Sequence, residues 1–367
     1  MDRKTATVLF VCVSAVFLVG CLDGTAGGDG GSEISADGSY ESEEWEDEPT
    51  EIEPTGTDYL TDGGGSKATV GSGAKKDLET HFVDVGQAEF TLLDGPNSTV
   101  VVDAAHWQDD NVVPYLREQG IEEVDLLVLT HPDADHIGQV PRVMEEMDVK
   151  EVWMSGTTHT TRTYEEAVDA VLESDAGYYE PRAGEVFSVG KVRIEALHPE
   201  EGTLSGDGQK DSIAVRVVYG ETSFMMTGDA EATAERGMIE NAEAGNITLD
   251  SDVYQMGHHG SSTSSTRSFL EAVDPDVAVY SAGADNAFGH PTEEVIRRHA
   301  DMGIEVYGTD AHGTVTVEAG RGGNYTVETE KDAPLILPSA VPKVLPPKSV
   351  GGAALGISVS GGAVYAP

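Results

Sequence analysis

Cysteine is nearly absent from this chain: two in 367 residues, at Cys12 and Cys21. That excludes a disulfide-stapled scaffold, which needs several bridges to replace a core. Basic residues are scarce too. Lys and Arg total 22 against 66 Asp and Glu, a formal net charge of −44, and the acid excess runs along the whole length rather than sitting in one tail. Such a chain lacks the basic stripe on which binding to a phosphate backbone ordinarily rests. It suits a protein adapted to high salt, because a Debye length of about 3 Å at 1 M screens the self-repulsion. Long apolar runs are the third shortage. After residue 20 no stretch approaches the roughly 20 apolar residues that a spanning helix needs, so a membrane channel within the sequence at hand is excluded.

What is there begins with a leader. Arg3 and Lys4 precede an apolar run over 6–19 that closes on Leu18-Val19-Gly20-Cys21. A charged start, a short apolar run and a small-residue cleavage site make residues 1–21 a secretory signal peptide. Its end resembles a lipobox, in which Cys21 becomes a lipidated amino terminus and Cys12 is discarded. The protein is then expected on the extracellular face of the membrane, held only by lipid, or secreted. Residues 22–77 are Gly, Ser, Thr, Asp and Glu with few apolar residues. They cannot bury enough surface to offset their ordering entropy, and read as a disordered tether. Residues 330–367 turn Pro-, Gly- and Ala-rich, an irregular tail with one edge strand expected over 356–359.

Between them, 78–329 reads as one domain. Short β-branched runs separated by turn residues predict hairpin-like strands from Thr80 to Val102. The nearly unbroken apolar run over 124–129 predicts a strand buried on both faces. Further strands are expected over 192–197, 213–219, 224–227, 253–256, 277–280 and 304–307. Helical spacing marks 112–119, 164–172, 231–241 and 293–300. The mixture implies an α/β protein with two sheets flanked by helices.

The chemistry concentrates at strand ends. Just past the buried strand stands His131-Pro132-Asp133-Ala134-Asp135-His136. Imidazoles and carboxylates crowded this closely repel or desolvate one another unless a cation lies among them. An acidic surface turn is the plain alternative, but histidine is rare here, eleven in all, and strand ends favour sites. Asp229, in Gly228-Asp229-Ala230-Glu231, sits at a second strand tip. A third carries Gly257-His258-His259-Gly260, where packing alone would leave ring nitrogens unsatisfied. A fourth carries Gly289-His290-Pro291, with His290 open to three roles: ligand, acid or loop-fixing hydrogen bonder.

Taken together, Phe82-Val83-Asp84-Val85-Gly86-Gln87, Val102-Asp103, the run from His131 to Gly138, Gly228-Asp229-Ala230-Glu231, His258 to Ser261 and Gly289-His290-Pro291 resemble the metallo-β-lactamase superfamily. Within it they look most like the hydrolase domain attached to the DNA-uptake channel ComEC. The resemblance implies a four-layer αββα sandwich with two divalent ions, Zn or Mn, in a cleft at the strand tips. It implies hydrolysis, of phosphodiesters in the ComEC-like branch and of phosphorylcholine esters in a related one.

On that footing His131, Asp133 and Asp229 are expected on one ion, and Asp135, His136, Asp229 and one of His258 or His259 on the other. Asp135, His259 and His290 are the residues expected to act in catalysis, through a hydroxide held between the ions. Two departures stand out. The superfamily's usual second histidine is Asp133 here, and Asp211-Ser212 occupies the place of a later one, while His198 reads as a strand-end residue. One position is thus expected to be poorer in nitrogen and richer in oxygen, which favours a harder ion such as Mn²⁺ there or leaves it only partly occupied. The substrate is expected to be a phosphodiester such as single-stranded DNA. Hydrolysis of a phosphocholine ester or lactone is the alternative, and a metal-binding lipoprotein without turnover is a third reading.

Overall fold

The computed structural model describes residues 77–336. Cys21, the tether at 22–76 and the tail strand expected at 356–359 lie outside the described residues. Strands β1 (Leu78–Phe82), β2 (Thr91–Gly95), β3 (Ser98–Val102), β5 (Leu126–Val128), β7 (Glu151–Trp153), β8 (Gly177–Tyr179), β16 (Val315–Ala319) and β17 (Tyr325–Thr329) form one sheet, in spatial order β17-β16-β1-β2-β3-β5-β7-β8. Strands β9 (Val186–Val189), β10 (Val192–His198), β11 (Ala214–Tyr219), β12 (Thr222–Met226), β13 (Val253–Gln255), β14 (Val277–Tyr280) and β15 (Glu305–Gly308) form the other, in the order β15-β14-β13-β12-β11-β10-β9. Two short strands, β4 (Glu123–Val124) and β6 (Asp148–Val149), pair separately.

Period-two alternation sorts the side chains into layers. Val100 and Val102 on β3, and Leu126 and Val128 on β5, point between the sheets and meet Val192, Ile194, Val215 and Val217 of the second sheet. Their neighbours Val101 and Leu127 point outward, against helices α1 (Val112–Glu118), α3 (Val140–Glu146) and α4 (Arg162–Glu173). The outer face of the second sheet carries Met225, Tyr254 and Ala278 beneath α5 (Ala232–Glu243), α6 (Arg267–Val273) and α7 (Glu293–Met302). The result is the four-layer αββα sandwich. Trp153 anchors its middle, fully buried with its ring 4.5 Å from that of Phe187; truncating such a residue to Ala costs about 3–5 kcal/mol.

The strand over 124–129 is buried on both faces as its composition predicts, but joins the large sheet only over Leu126–Val128. Asp125 leaves the ladder to accept the backbone N–H of Thr99. Strands β3, β5 and β7 run parallel in one sheet, and β12 to β15 in the other. The residues following β3, β5, β12, β13 and β14 therefore form a row of strand tips, where α/β proteins place ligands.

Candidate metal centre

Helix α2 (Ala134–Ile137) is a single turn, with Asp133 at its N-cap position. Two loops clamp it: the N–H of Glu89 donates to Asp135 O, and that of Ala104 to His136 O. The turn thus holds Asp135 and His136 against the tips of β3 and β5. After β12, Gly228 takes φ +47 and passes so close to Thr130 that an added Cβ would lie 2.6 Å from it. Asp229 is thereby fixed beside His131.

The double histidine is held by unusual backbone. His258 and His259 both adopt φ 53, in the left-handed region, at about 1–2 kcal/mol each for a residue bearing Cβ. Extended neighbours send side chains to opposite faces; here both rings enter the cleft. Nε2 of His259 lies 3.2 Å from Asp135 Oδ2, and Nε2 of His258 lies 3.5 Å from Asp229 Oδ2.

Asp229 divides the cleft. Its Oδ1 faces Nε2 of His136 at 3.4 Å and of His259 at 4.0 Å; its Oδ2 faces Nε2 of His258 at 3.5 Å and of His131 at 3.7 Å. Asp133 Oδ2 adds a carboxylate 3.5 Å from His131 Nε2. Each Asp229 oxygen thus has two imidazole nitrogens before it, whereas the expected ligand sets left one position nitrogen-poor. Asp211 does not turn inward: it accepts from Ser205, Gly206 and Thr157 and ties down a loop. Ser212 stays near Gly228 with its hydroxyl buried and unbonded, and His198, at the end of β10, contacts Ser212 O through Nδ1 at 2.9 Å.

The hydrogen-bond inventory says what the cleft requires. His259 Nδ1 is 2.8 Å from the carbonyl of Ser281, and His136 Nδ1 is 2.8 Å from a carboxylate oxygen of Asp103. Both partners can only accept, so both Nδ1 atoms carry protons. The two Nε2 atoms then face each other 3.3 Å apart as bare lone pairs in the neutral rings. Only a proton or a cation relieves that opposition. Buried His131 Nε2, Asp229 Oδ1 and Glu89 Oε2 likewise make no hydrogen bond, at about 1–3 kcal/mol each when left unmet. Glu89, His136, Asp229 and His259 bring four ligand atoms within 4.8 Å of one another. The donor set therefore fits divalent metal.

Without metal, protons take up the strain. Burial lowers the affinity of His136 for a proton, but Asp229, Asp103 and Asp135 more than reverse this and hold it well above the ordinary histidine range. The same contest raises His259 to about 9. Burial works against Asp229 as an anion, yet His136, His131 and His259 hold it well below the carboxylate range. Asp135 is lowered as well, His136 and His259 outweighing its burial. Glu89 goes the other way, pushed up by burial to about 7 despite His136 and His259.

His290 stands apart from the four-residue group. Its ring meets that of His258 edge-on at 5.5 Å, and burial followed by the charges of His258 and His259 lowers its proton affinity.

Neither Glu89 nor Asp103 is among the expected ligands or catalytic residues, although Asp103 stands in one of the motifs that carry the resemblance. Asp103 had the same signal as the others, an acid directly after a β-branched run. Glu89 offered a fainter one, a lone acid opening the apolar segment that becomes β2.

The family model for the metallo-beta-lactamase superfamily matches residues 83–284. The chain is 26% identical over 256 residues to ComE operon protein 3 of Bacillus subtilis, covering 65% of this chain and 32% of that protein. It is 31% identical over 251 residues to the competence protein ComA of Neisseria gonorrhoeae, covering 65% and 32%. It thus spans about a third of the length of these relatives. Among solved structures, the metallo-beta-lactamase fold protein YhfI from Bacillus subtilis overlays with a TM-score of 0.45 at 13% identity, covering 66% of this chain and all of that one.

Proposed function

The chain belongs to the metallo-beta-lactamase superfamily, and we propose that within it this protein is a metal-dependent phosphodiesterase with nuclease activity, working at the outer face of the membrane from a lipid anchor at Cys21. The division of the cleft by Asp229 carries this reading. On it, His131, Asp133, His258 and Asp229 Oδ2 would hold one ion, and Asp135, His136, His259 and Asp229 Oδ1 the other, with Glu89 beside the second. Divalent ions bound here would supply Lewis acidity and lower the pKa of water.

The chain's own residues do the rest. Asp103 and Ser281 O fix the tautomers of His136 and His259, so that both present a lone pair to the cleft. Asp229 aims one oxygen at each half. His290, outside the cluster with its ring against that of His258, would donate the proton that the leaving oxygen needs.

One further observation favours phosphodiesters over other esters: the relatives include a competence protein and one called recombination protein 2.

The test is metal analysis of the full chain, with cleavage of single-stranded DNA and bis-(p-nitrophenyl) phosphate in molar salt beside a phosphocholine ester and a lactone. Cleavage of the phosphodiesters, lost in both Asp135→Ala and His136→Ala, is the expected result. Activity retained in both variants overturns the assignment. A chain holding less than one ion and silent on every ester is a binding protein instead.

A further inference from the structure

Five large hydrophobic side chains are exposed among the described residues: Trp107, Leu172, Val186, Leu204 and Phe288. Phe288 is the most exposed, at 72%, and of the five it alone has a ring contact to a histidine of the strand-tip motifs. Its ring lies nearly parallel to that of His290, 29° apart with centroids 6.0 Å apart. His290 in turn meets His258, whose Nε2 faces Asp229. An apolar ring held in water is thus two ring contacts from the centre of the cleft.

The loop presenting it is tied down rather than loose. Asn286 uses both ends of its amide: Oδ1 accepts the N–H of Phe288 and of His290, each at 3.1 Å, and Nδ2 donates to Gly283 O at 2.9 Å and His290 O at 2.5 Å. The N–H of Gly283 donates to Gln87 Oε1 on the other sheet's side of the cleft. Exposure of a large apolar ring is unfavourable, and here the loop's backbone is fixed at Phe288 itself and at His290.

We propose that Phe288 is a stacking platform for a nucleobase of a single-stranded nucleic acid whose phosphodiester lies in the adjacent cleft. The proposal rests on the phosphodiester reading above and narrows it to a substrate with planar bases. Charge limits how else a strand could be held. With 22 basic against 66 acidic residues, the chain is poorly equipped to hold a strand by its phosphates, and phosphate contacts weaken steeply as salt rises. A base stacked on an aromatic ring draws its energy from the ring face rather than from a charge, and any base can make the contact.

The experiment is fluorescence anisotropy with a labelled fifteen-residue thymidine oligonucleotide and an abasic oligomer of equal length, on the full chain with metal chelated so that nothing is cut. Phe288→Ala should weaken binding of the thymidine strand about tenfold, toward the low end of what one base–aromatic stack contributes. Phe288→Trp should restore it, Phe288→Leu should not, and the abasic oligomer should bind equally weakly to all four proteins. The proposal is overturned if the wild type binds neither oligomer, if Phe288→Ala binds like the wild type, or if the loss is equal on the abasic strand. Should ring-dependent binding appear while the metal-loaded protein cuts no phosphodiester, the platform stands and the hydrolytic reading falls.

Discussion

The carboxylate of Asp103 controls two histidines, touching only one of them. Its Oδ2 lies 2.8 Å from His136 Nδ1, and it accepts the hydroxyl proton of Thr130, also at 2.8 Å. With that proton spent, Thr130 Oγ1 can only accept from His131 Nδ1, 3.1 Å away. One buried anion thereby turns the Nε2 lone pairs of both His131 and His136 into the cleft. Asp103→Asn keeps the shape and removes the charge, and an amide can offer a donor where His136 needs an acceptor. Loss of such a supporting partner typically costs 10–100-fold in metal affinity or activity. Titration of bound metal, with circular dichroism to confirm the fold, should show a loss in that range; unchanged affinity would falsify the relay.

Metal uptake should expel protons. In the metal-free protein His136 is held well above its usual range and His259 at about 9, so near neutrality a proton lies between their facing Nε2 atoms, where a metal must bind. Raising the pH removes that competitor, and affinity should climb between about pH 6 and 9. Calorimetry in buffers of different ionisation enthalpy measures the protons released, expected to be about one or more per protein molecule. A value near zero means the ion binds elsewhere. Loading should also raise the melting temperature, by about 2.7 kcal/mol of added stability at a hundredfold excess over Kd.

Much of this architecture is legible in the sequence because burial and strand periodicity are local properties. The β-branched run at Thr99 to Val102 and the apolar run around Leu127 disclose both their strands and, by ending in Asp103 and Thr130-His131, the tips where chemistry gathers. The division of labour between His258 and His259 is not legible. It depends on two consecutive left-handed residues, and their conformation is imposed by long-range contacts such as the N–H of His258 on Gly228 O. Glu89 was hidden for a related reason: its partners, His136 and Asp229, are distant in the chain. Phe288 reads as one apolar residue in a loop until the ring beneath it is known.

Gly228 should prove irreplaceable for the site as well as for the fold. A Cβ there would lie 2.6 Å from Thr130 and 2.5 Å from the Ser212 hydroxyl, on a backbone at φ +47. Gly228→Ala should cost about 1–3 kcal/mol from crowding and strain and, by moving Asp229 away from His131, lower metal affinity as well. Gly120→Ala is the matched control, since that glycine has φ +78 but nothing within 4 Å of an added Cβ. It should show the strain cost alone. Equal metal affinity in the two variants would mean that Asp229 does not depend on the close approach.

Away from the cleft, His299 should govern part of the acid sensitivity. It lies buried on α7, its ring parallel to that of Tyr254 at 6.2 Å, Nδ1 2.9 Å from Val295 O and Nε2 without a hydrogen bond. Burial lowers it to about 4, against the help of the Val295 carbonyl and with a small push from Arg298. Its folded value thus lies below the unfolded one, near 6.5. Between those values the unfolded chain binds the proton and the folded chain does not, so stability falls as pH drops from about 6.5 to 4 and is unaffected by this group above that window. A gap of about 2.5 units corresponds to roughly 3 kcal/mol. His299→Leu should be less stable than the wild type at pH 7.5, having lost its hydrogen bond and ring contact, yet should lose less between pH 7.5 and 4.5. Urea denaturation of both proteins at the two pH values measures the difference, and parallel losses would show that His299 is protonated without penalty in the folded state.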